Sequence, residues 1–133
     1  LIYLPDTNVC VAVLRNAQSA IAQKMNTVRR EDILLCDIVK AELFYGAYRS
    51  AQPLANIAKV QAFLAPFRSA PFDEASALIF GRIRRELETF GTPIGPYDLQ
   101  IVAVTLAHNA VLVTHNTREF RRVNGLILED WEV

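Results

Sequence analysis

The chain has 133 residues, of which 52% are hydrophobic, enough apolar side chain for one core and too little length for a second domain. Its 14 basic residues balance 14 acidic ones, so no global positive field marks a nucleic-acid binder, and any such contact must come from local patches. No apolar run approaches the roughly 18 residues of a transmembrane helix, and Asp6 interrupts the start too early for a secretory signal, which predicts a soluble, cytoplasmic protein without membrane contact.

In chain order, Leu1 to Leu4 (LIYL) is the first short apolar run suited to a buried strand. It passes into LPDTNVCVAVL, Leu4 to Leu14, where Asp6, Thr7 and Asn8 stand between two apolar stretches. All three residue types are favoured helix N-caps, so a cap is the plain structural reading. Cys10 and Cys36 both have apolar neighbours and read as buried thiols of a reducing compartment, because small secreted domains build their disulfide frameworks from more cysteines.

Ile33 to Cys36 (ILLC) is the second strand, and a helix from Asp37 to Tyr48 follows it. In that helix the residues three and four away from Glu42 are Ile38, Val39, Tyr45 and Gly46, so its carboxylate points along an uncharged face. Carboxylates are almost never buried unless paired or coordinated, which makes Glu42 a candidate ligand. A further helix covers Leu54 to Leu64, and the apolar surface from Leu54 to Phe67 reads as core, as a docking groove or as a homodimer face.

Asp73 to Phe90 opens with two acids suited to a helix N-terminus and carries Ala75, Ile79, Ile83, Leu87 and Phe90 along one stripe. Arg82 with Glu86 and Arg84 with Glu88 form its solvated face. Gly91 to Pro96 (GTPIGP) breaks the chain, and Pro96 suits the first position of a helix running through Tyr97 to His108. Asp98 falls in the first turn, where an acid complements the helix dipole, yet Ile101 and Val102 put it on the inward side, so cap and site stand level. Ala110 to Val113 (AVLV) and Leu126 to Leu128 (LIL) are the last strands. Between them lies VTHNTREF, Val113 to Phe120, where Thr114, Asn116 and Thr117 can hold a loop and Glu119 can bring a further carboxylate.

Strands separated by helices predict a small parallel α/β sheet with helices on both faces, and ligands gather at the carboxyl ends of such strands, where Asp6 lies. Asp6, Glu42 and Asp98 could converge on one cation, and hard oxygen donors without a Cys and His set favour Mg²⁺ or Mn²⁺ over zinc. His108 and His115, seven residues apart, match no zinc spacing. The chain has no arguable Ser, His and acid trio and neither a P-loop nor a dinucleotide fingerprint.

The order of four motifs resembles PIN-domain nucleases and, within them, VapC-type toxins of type II toxin-antitoxin pairs: LPDTNV around Asp6, KAELFYGAYRS around Glu42, GTPIGPYDLQIVA around Asp98, and LVTHNTREFRRVNGL with EDW near the end. The resemblance implies a single PIN domain over residues 1–133, with a central parallel sheet of about five strands flanked by helices. It also implies a metal-dependent endoribonuclease, with Asp6, Glu42 and Asp98 as its catalytic metal ligands on one or two Mg²⁺ ions, leaving a 5′-phosphate and a 3′-hydroxyl and so inhibiting translation and growth.

At the fourth family position many relatives carry Asp, and Asn116 stands here instead; Asn116 can still ligate through its amide oxygen or hold a water, and Glu119 is the other candidate. Thr7 and Asn8 are expected to orient Asp6 or a water, with Thr114 supporting the loop. Arg118, Arg121 and Arg122 follow the loop and are candidate RNA phosphate contacts. A VapB-type antitoxin covering the site and a homodimer are the implied partners; the positive mean hydropathy also points to surface covered by another chain. Two other readings stay open: a PIN fold that holds RNA or a partner without cutting, because of Asn116, and a stand-alone RNA-processing nuclease. An adjacent small gene for a DNA-binding antitoxin would favour the toxin over both.

Overall fold

Among the described residues the sheet is built from five strands of three residues each, two of which are buried on both faces. The computed structural model describes residues 1–132. Strands β1 (Tyr3–Pro5), β4 (Val111–Val113) and β5 (Ile127–Glu129) pair in parallel in the order β1-β4-β5, and β2 (Leu34–Cys36) pairs in parallel with β3 (Arg68–Ala70). A parallel bridge between Tyr3 and Ile33 joins the two sets into the order β3-β2-β1-β4-β5. Successive strand residues point to opposite faces, yet all three residues of β2 and all three of β4 are buried, so helices cover both sides. The expected parallel sheet of about five strands flanked by helices is therefore present.

The connectivity makes one crevice. From β1 the chain goes to β2 and β3 on one side, then returns to place β4 on the other side of β1. At such a reversal the connections leave in opposite directions and open a cleft at the carboxyl ends of the two central strands. The ladder runs one residue past β1: the Asp6 N–H donates to the Val113 carbonyl at 2.9 Å. That bond fixes Asp6 at the mouth of the crevice.

Seven helices surround the sheet among the described residues: α1 (Thr7–Arg15), α2 (Ala20–Thr27), α3 (Asp37–Tyr48), α4 (Pro53–Leu64), α5 (Glu74–Thr89), α6 (Pro96–Ala107) and the single turn α7 (Thr117–Phe120). None is long and apolar enough to cross a membrane. Helix α6 is buried almost all round, through Leu99 and every residue from Ile101 to Thr105, and the Thr105 hydroxyl satisfies itself on the Ile101 carbonyl at 2.8 Å. Its C-terminus closes on Asn109 at φ 50°, with Ala110 N–H returning to Thr105 O and Asn109 N–H to Leu106 O. This left-handed stop turns the chain straight into β4.

Helix α5 begins on Asp73, which accepts from the Ser76 amide at 3.0 Å, and carries the expected exposed pairs Arg82–Glu86 (3.2 Å) and Arg84–Glu88 (3.5 Å). Of its expected stripe, Ile83 and Leu87 are buried while Ala75 and Phe90 are exposed. Two steps of four residues rotate Ala75 about 80° off the face, and Phe90 is the C-cap. In α4, Val60 is buried and Leu54 is exposed. Cys10 and Cys36 are both free and fully buried, as their apolar neighbours predict.

Three elements have no counterpart in the sequence expectations: strand β3, helix α2 and the single turn α7, which falls in the expected loop. Strand β3 (RSA) shows no apolar pattern because it is an edge strand held by backbone pairing to β2, with only Ala70 buried. Helix α2 is short and starts on Ser19, whose hydroxyl accepts from Ala22 N–H at 3.2 Å. Because β4 is central and Leu112 is fully buried, Leu112→Ala should destabilise the fold by about 2–5 kcal/mol in urea unfolding. A loss below about 1 kcal/mol would mean that β4 is not the core strand described here.

Candidate metal centre

Four carboxylates from four separate segments face the crevice, and each is placed by a different local device. Asp6 caps α1, accepting the Val9 N–H on Oδ1 at 2.9 Å, and is only 5% exposed. Cap and inward-facing acid are thus the same residue, since one oxygen suffices for the cap. Glu42 projects from α3 and accepts the Thr7 hydroxyl on Oε1 at 2.6 Å. Asp98 lies in the first turn of α6, behind Pro96, where no side chain caps the helix. Glu119 comes from α7 and accepts the Asn116 side-chain amide on Oε2 at 2.8 Å.

The hydroxyl and amide supports differ in part from those expected. Thr7 binds Glu42 rather than Asp6, because the first helical residue after the cap points across to α3. The Asn8 side chain is exposed and makes no side-chain hydrogen bond; its backbone amide is what favours the Asp6 carboxylate. Buried Thr114 faces Asp6 with its hydroxyl while its oxygen accepts the Asn116 N–H at 3.0 Å. One threonine thereby ties the loop after β4 to the acid after β1. Asn116 itself is exposed, and Glu119 is half-buried.

Burial pushes the Asp6 carboxyl up from its ordinary value; the Thr114 hydroxyl and the Val9 amide oppose this, and the charge of Glu42 adds to it. Asp98 is pushed up to about 6, first by burial and then by the charges of Glu119, Glu42 and Asp6. No basic side chain is among the charges acting on either group. Like charges gathered in a half-dry cleft must hold protons or a cation, and an all-oxygen donor set suits a hard divalent metal ion. The residues present therefore fit a divalent metal.

A second cluster is of another kind. The His115 Nδ1 lies 3.0 Å from Asp130 Oδ2 and 2.7 Å from Glu132 Oε2, the one set of three such groups within 4.8 Å of one another among the described residues. The four crevice acids stand wider apart, as mutual repulsion requires. His115 is largely exposed, so this is a surface polar group that braces the loop against the C-terminal segment, which Trp131 pins by packing on Tyr3 at 5.7 Å. Arg118, Arg121 and Arg122 are exposed, and Arg122 donates to the Pro93 carbonyl at 3.2 Å; none of them is in an ion pair among the described residues.

The PIN domain family profile matches residues 3–126. The chain is 36% identical over 129 residues, 97% of each chain, to the tRNA(fMet)-specific endonuclease VapC of Salmonella typhimurium. It is 35% identical over 133 residues, 99% of each chain, to the ribonuclease VapC2 of Rickettsia felis. Among solved structures it superposes on a chain of the DNA-bound VapBC of Salmonella typhimurium with a TM-score of 0.93 and 36% identity, covering 98% of both chains.

The raised carboxyls give a pH dependence of definite sign. Stability from the protonated Asp98 is fully present below its ordinary value of 3.8 and is lost as pH rises through about 6. Without divalent ions, Tm should therefore fall between pH 5 and pH 7.5, and adding Mg²⁺ or Mn²⁺ should raise it at pH 7.5 far more than at pH 5. A metal-free Tm that climbs over this interval, and ignores the added ion, would refute the charge arrangement.

Proposed function

We propose, on the premise that this chain belongs to the PIN-domain family in its VapC branch, that it is a Mg²⁺-dependent endoribonuclease acting as the toxin of a toxin-antitoxin pair. The observation that carries this reading is the gathering of four carboxylates at the strand reversal with no basic side chain among the charges acting on Asp6 or Asp98. Asp6, Glu42 and Asp98 hold the metal, and Glu119 supplies the fourth carboxylate. A bound Mg²⁺ supplies positive charge for the scissile phosphate and lowers the pKa of its water.

The chain's own groups set the stage for in-line hydrolysis. Thr7 and Asn116 each fix one carboxylate by a hydrogen bond, so that Glu42 and Glu119 keep one orientation, and the Thr114 hydroxyl faces Asp6 and favours its charged form. Burial of Asp6 excludes bulk water from the inner wall, while half-exposed Asp98 leaves the outer side open to a phosphodiester. Hydrolysis adds one water across the P–O3′ bond: the water oxygen bonds to phosphorus as that bond breaks. A proton ends on O3′, giving a 5′-phosphate and a 3′-hydroxyl.

Asn116 does not argue for a non-cutting module, because the acid count is kept by Glu119, whose charge is the largest acting on Asp98. Asn116 is then a positioning residue. Transfer RNA is the first substrate to test, since the Salmonella relative bears that specificity in its name. A VapB-type antitoxin is the proposed partner, supported by the VapBC complex among the structural relatives. A homodimer in the cytoplasm completes the proposal.

With purified protein, tRNA and Mg²⁺, Asp6→Asn should lose more than the ~10–100-fold that follows from removing an outer support, and EDTA should abolish cleavage. Glu119→Gln should cost more than Asn116→Ala. Cleavage that survives in EDTA or in Asp6→Asn would overturn the metal-carboxylate mechanism, and a larger loss for Asn116→Ala would exchange the roles of the two residues.

A further inference from the structure

A groove of about 690 Å³ runs between α1, α3 and α4, and Glu42 forms part of its wall. Glu42 is the one crevice acid in its lining and joins the groove to the carboxylate centre. Arg15 from the end of α1, Arg49 from the C-cap of α3 and Lys59 from α4 all line it. All three are exposed, and none is in an ion pair among the described residues. In a chain whose charges cancel overall, three cations outside any ion pair, from three helices, meet in one depression with Glu42.

Along α3 the residues Glu42, Tyr45, Gly46 and Arg49 follow the 3-and-4 spacing that places them on one stripe. Tyr45 is 65% exposed, and the Arg49 guanidinium lies 5.7 Å from its ring centroid. An open aromatic face backed by an arginine is a stacking platform for an unpaired base. Gly46 lines the floor, and a Cβ there would meet nothing within 4 Å. A glycine inside a helix costs about 1 kcal/mol relative to alanine, and packing does not require this one. What it does preserve is an open helix face next to Tyr45, which stands exposed beside the groove rather than in its lining.

Building on the nuclease reading, we infer that this groove is the track for single-stranded RNA, with Arg15, Arg49 and Lys59 on successive phosphates and a base on Tyr45, delivering the strand to Glu42. Single-stranded RNA fits because its phosphates match the unpaired cations and its base faces are free to stack, whereas a duplex hides them. Arg118, Arg121 and Arg122, the phosphate contacts expected from the sequence, do not line the groove.

The test is the binding of a labelled single-stranded RNA to the full chain in EDTA, so that the RNA stays intact, over a range of salt. Each lost phosphate contact lowers the slope of log affinity against log salt by about 0.7 for single strands. The triple variant Arg15→Gln, Arg49→Gln, Lys59→Gln should lower it by about 2 and weaken binding more than tenfold, while Arg118→Gln, Arg121→Gln, Arg122→Gln leaves the slope unchanged. Tyr45→Ala should weaken binding about tenfold with the slope intact. Gly46→Leu should retain or raise Tm yet weaken binding, an outcome that misfolding cannot mimic. Cleavage of the same RNA with Mg²⁺ is scored in parallel. A wild-type slope in the first triple variant overturns the track; if the wild type still cuts, the nuclease reading stands. If that variant instead loses affinity for its antitoxin alone, the groove belongs to protein and the track is overturned. A wild type that neither binds nor cuts RNA overturns both.

Discussion

Repulsion among Asp6, Glu42, Asp98 and Glu119 is the interaction on which the rest of this molecule turns. Burial and then the charges of the other three push the Asp98 carboxyl up to about 6, and no basic side chain is among the charges acting on it. A fold that only had to be stable would not bring these groups together, because each half-buried negative charge costs free energy that no internal partner returns. The arrangement becomes reasonable once a divalent cation supplies the missing charge. The pKa shifts, the exposed loop after β4 and the hydroxyl supports all follow from that requirement.

The scaffold meets this demand through connectivity and burial. The reversal of strand order between β1 and β4 puts Asp6 and Thr114 at neighbouring strand ends, and the bond from Asp6 N–H to Val113 O locks them in register. Helix α6, buried almost all round, carries Asp98 into the same cleft from its first turn. The two remaining acids are each fixed by one short polar side chain, Thr7 on Glu42 and Asn116 on Glu119, while the Thr114 hydroxyl faces Asp6. These are the positioning contacts that a preorganised ligand set needs.

Much of this was legible in the sequence because its signals are local. Glu42 declared itself as a lone charge on an apolar helix face, Asp98 by the Pro96 start followed by an apolar helix, and Asp6 by polarity set between two apolar runs. The division of labour between Asn116 and Glu119 was not legible, since α7 is a single turn and gives no face to reason from. The partner of Thr7 was hidden for the same reason that any contact between residues 35 positions apart is hidden. Strand β3 escaped because an edge strand draws on backbone pairing alone. The groove cations lie at Arg15, Arg49 and Lys59, on three different helices, and no linear pattern joins them.

Metal-coupled proton release tests the central claim most directly. If the crevice acids wait for a divalent ion, Mn²⁺ titrated calorimetrically in buffers of different ionisation enthalpy should displace protons from them. The account predicts release of roughly half a proton from Asp98 at pH 6, where that group is half protonated, vanishing by pH 8 and lost in Asp98→Asn. Binding whose proton count does not change between pH 6 and 8, or no saturable binding at all, would contradict it.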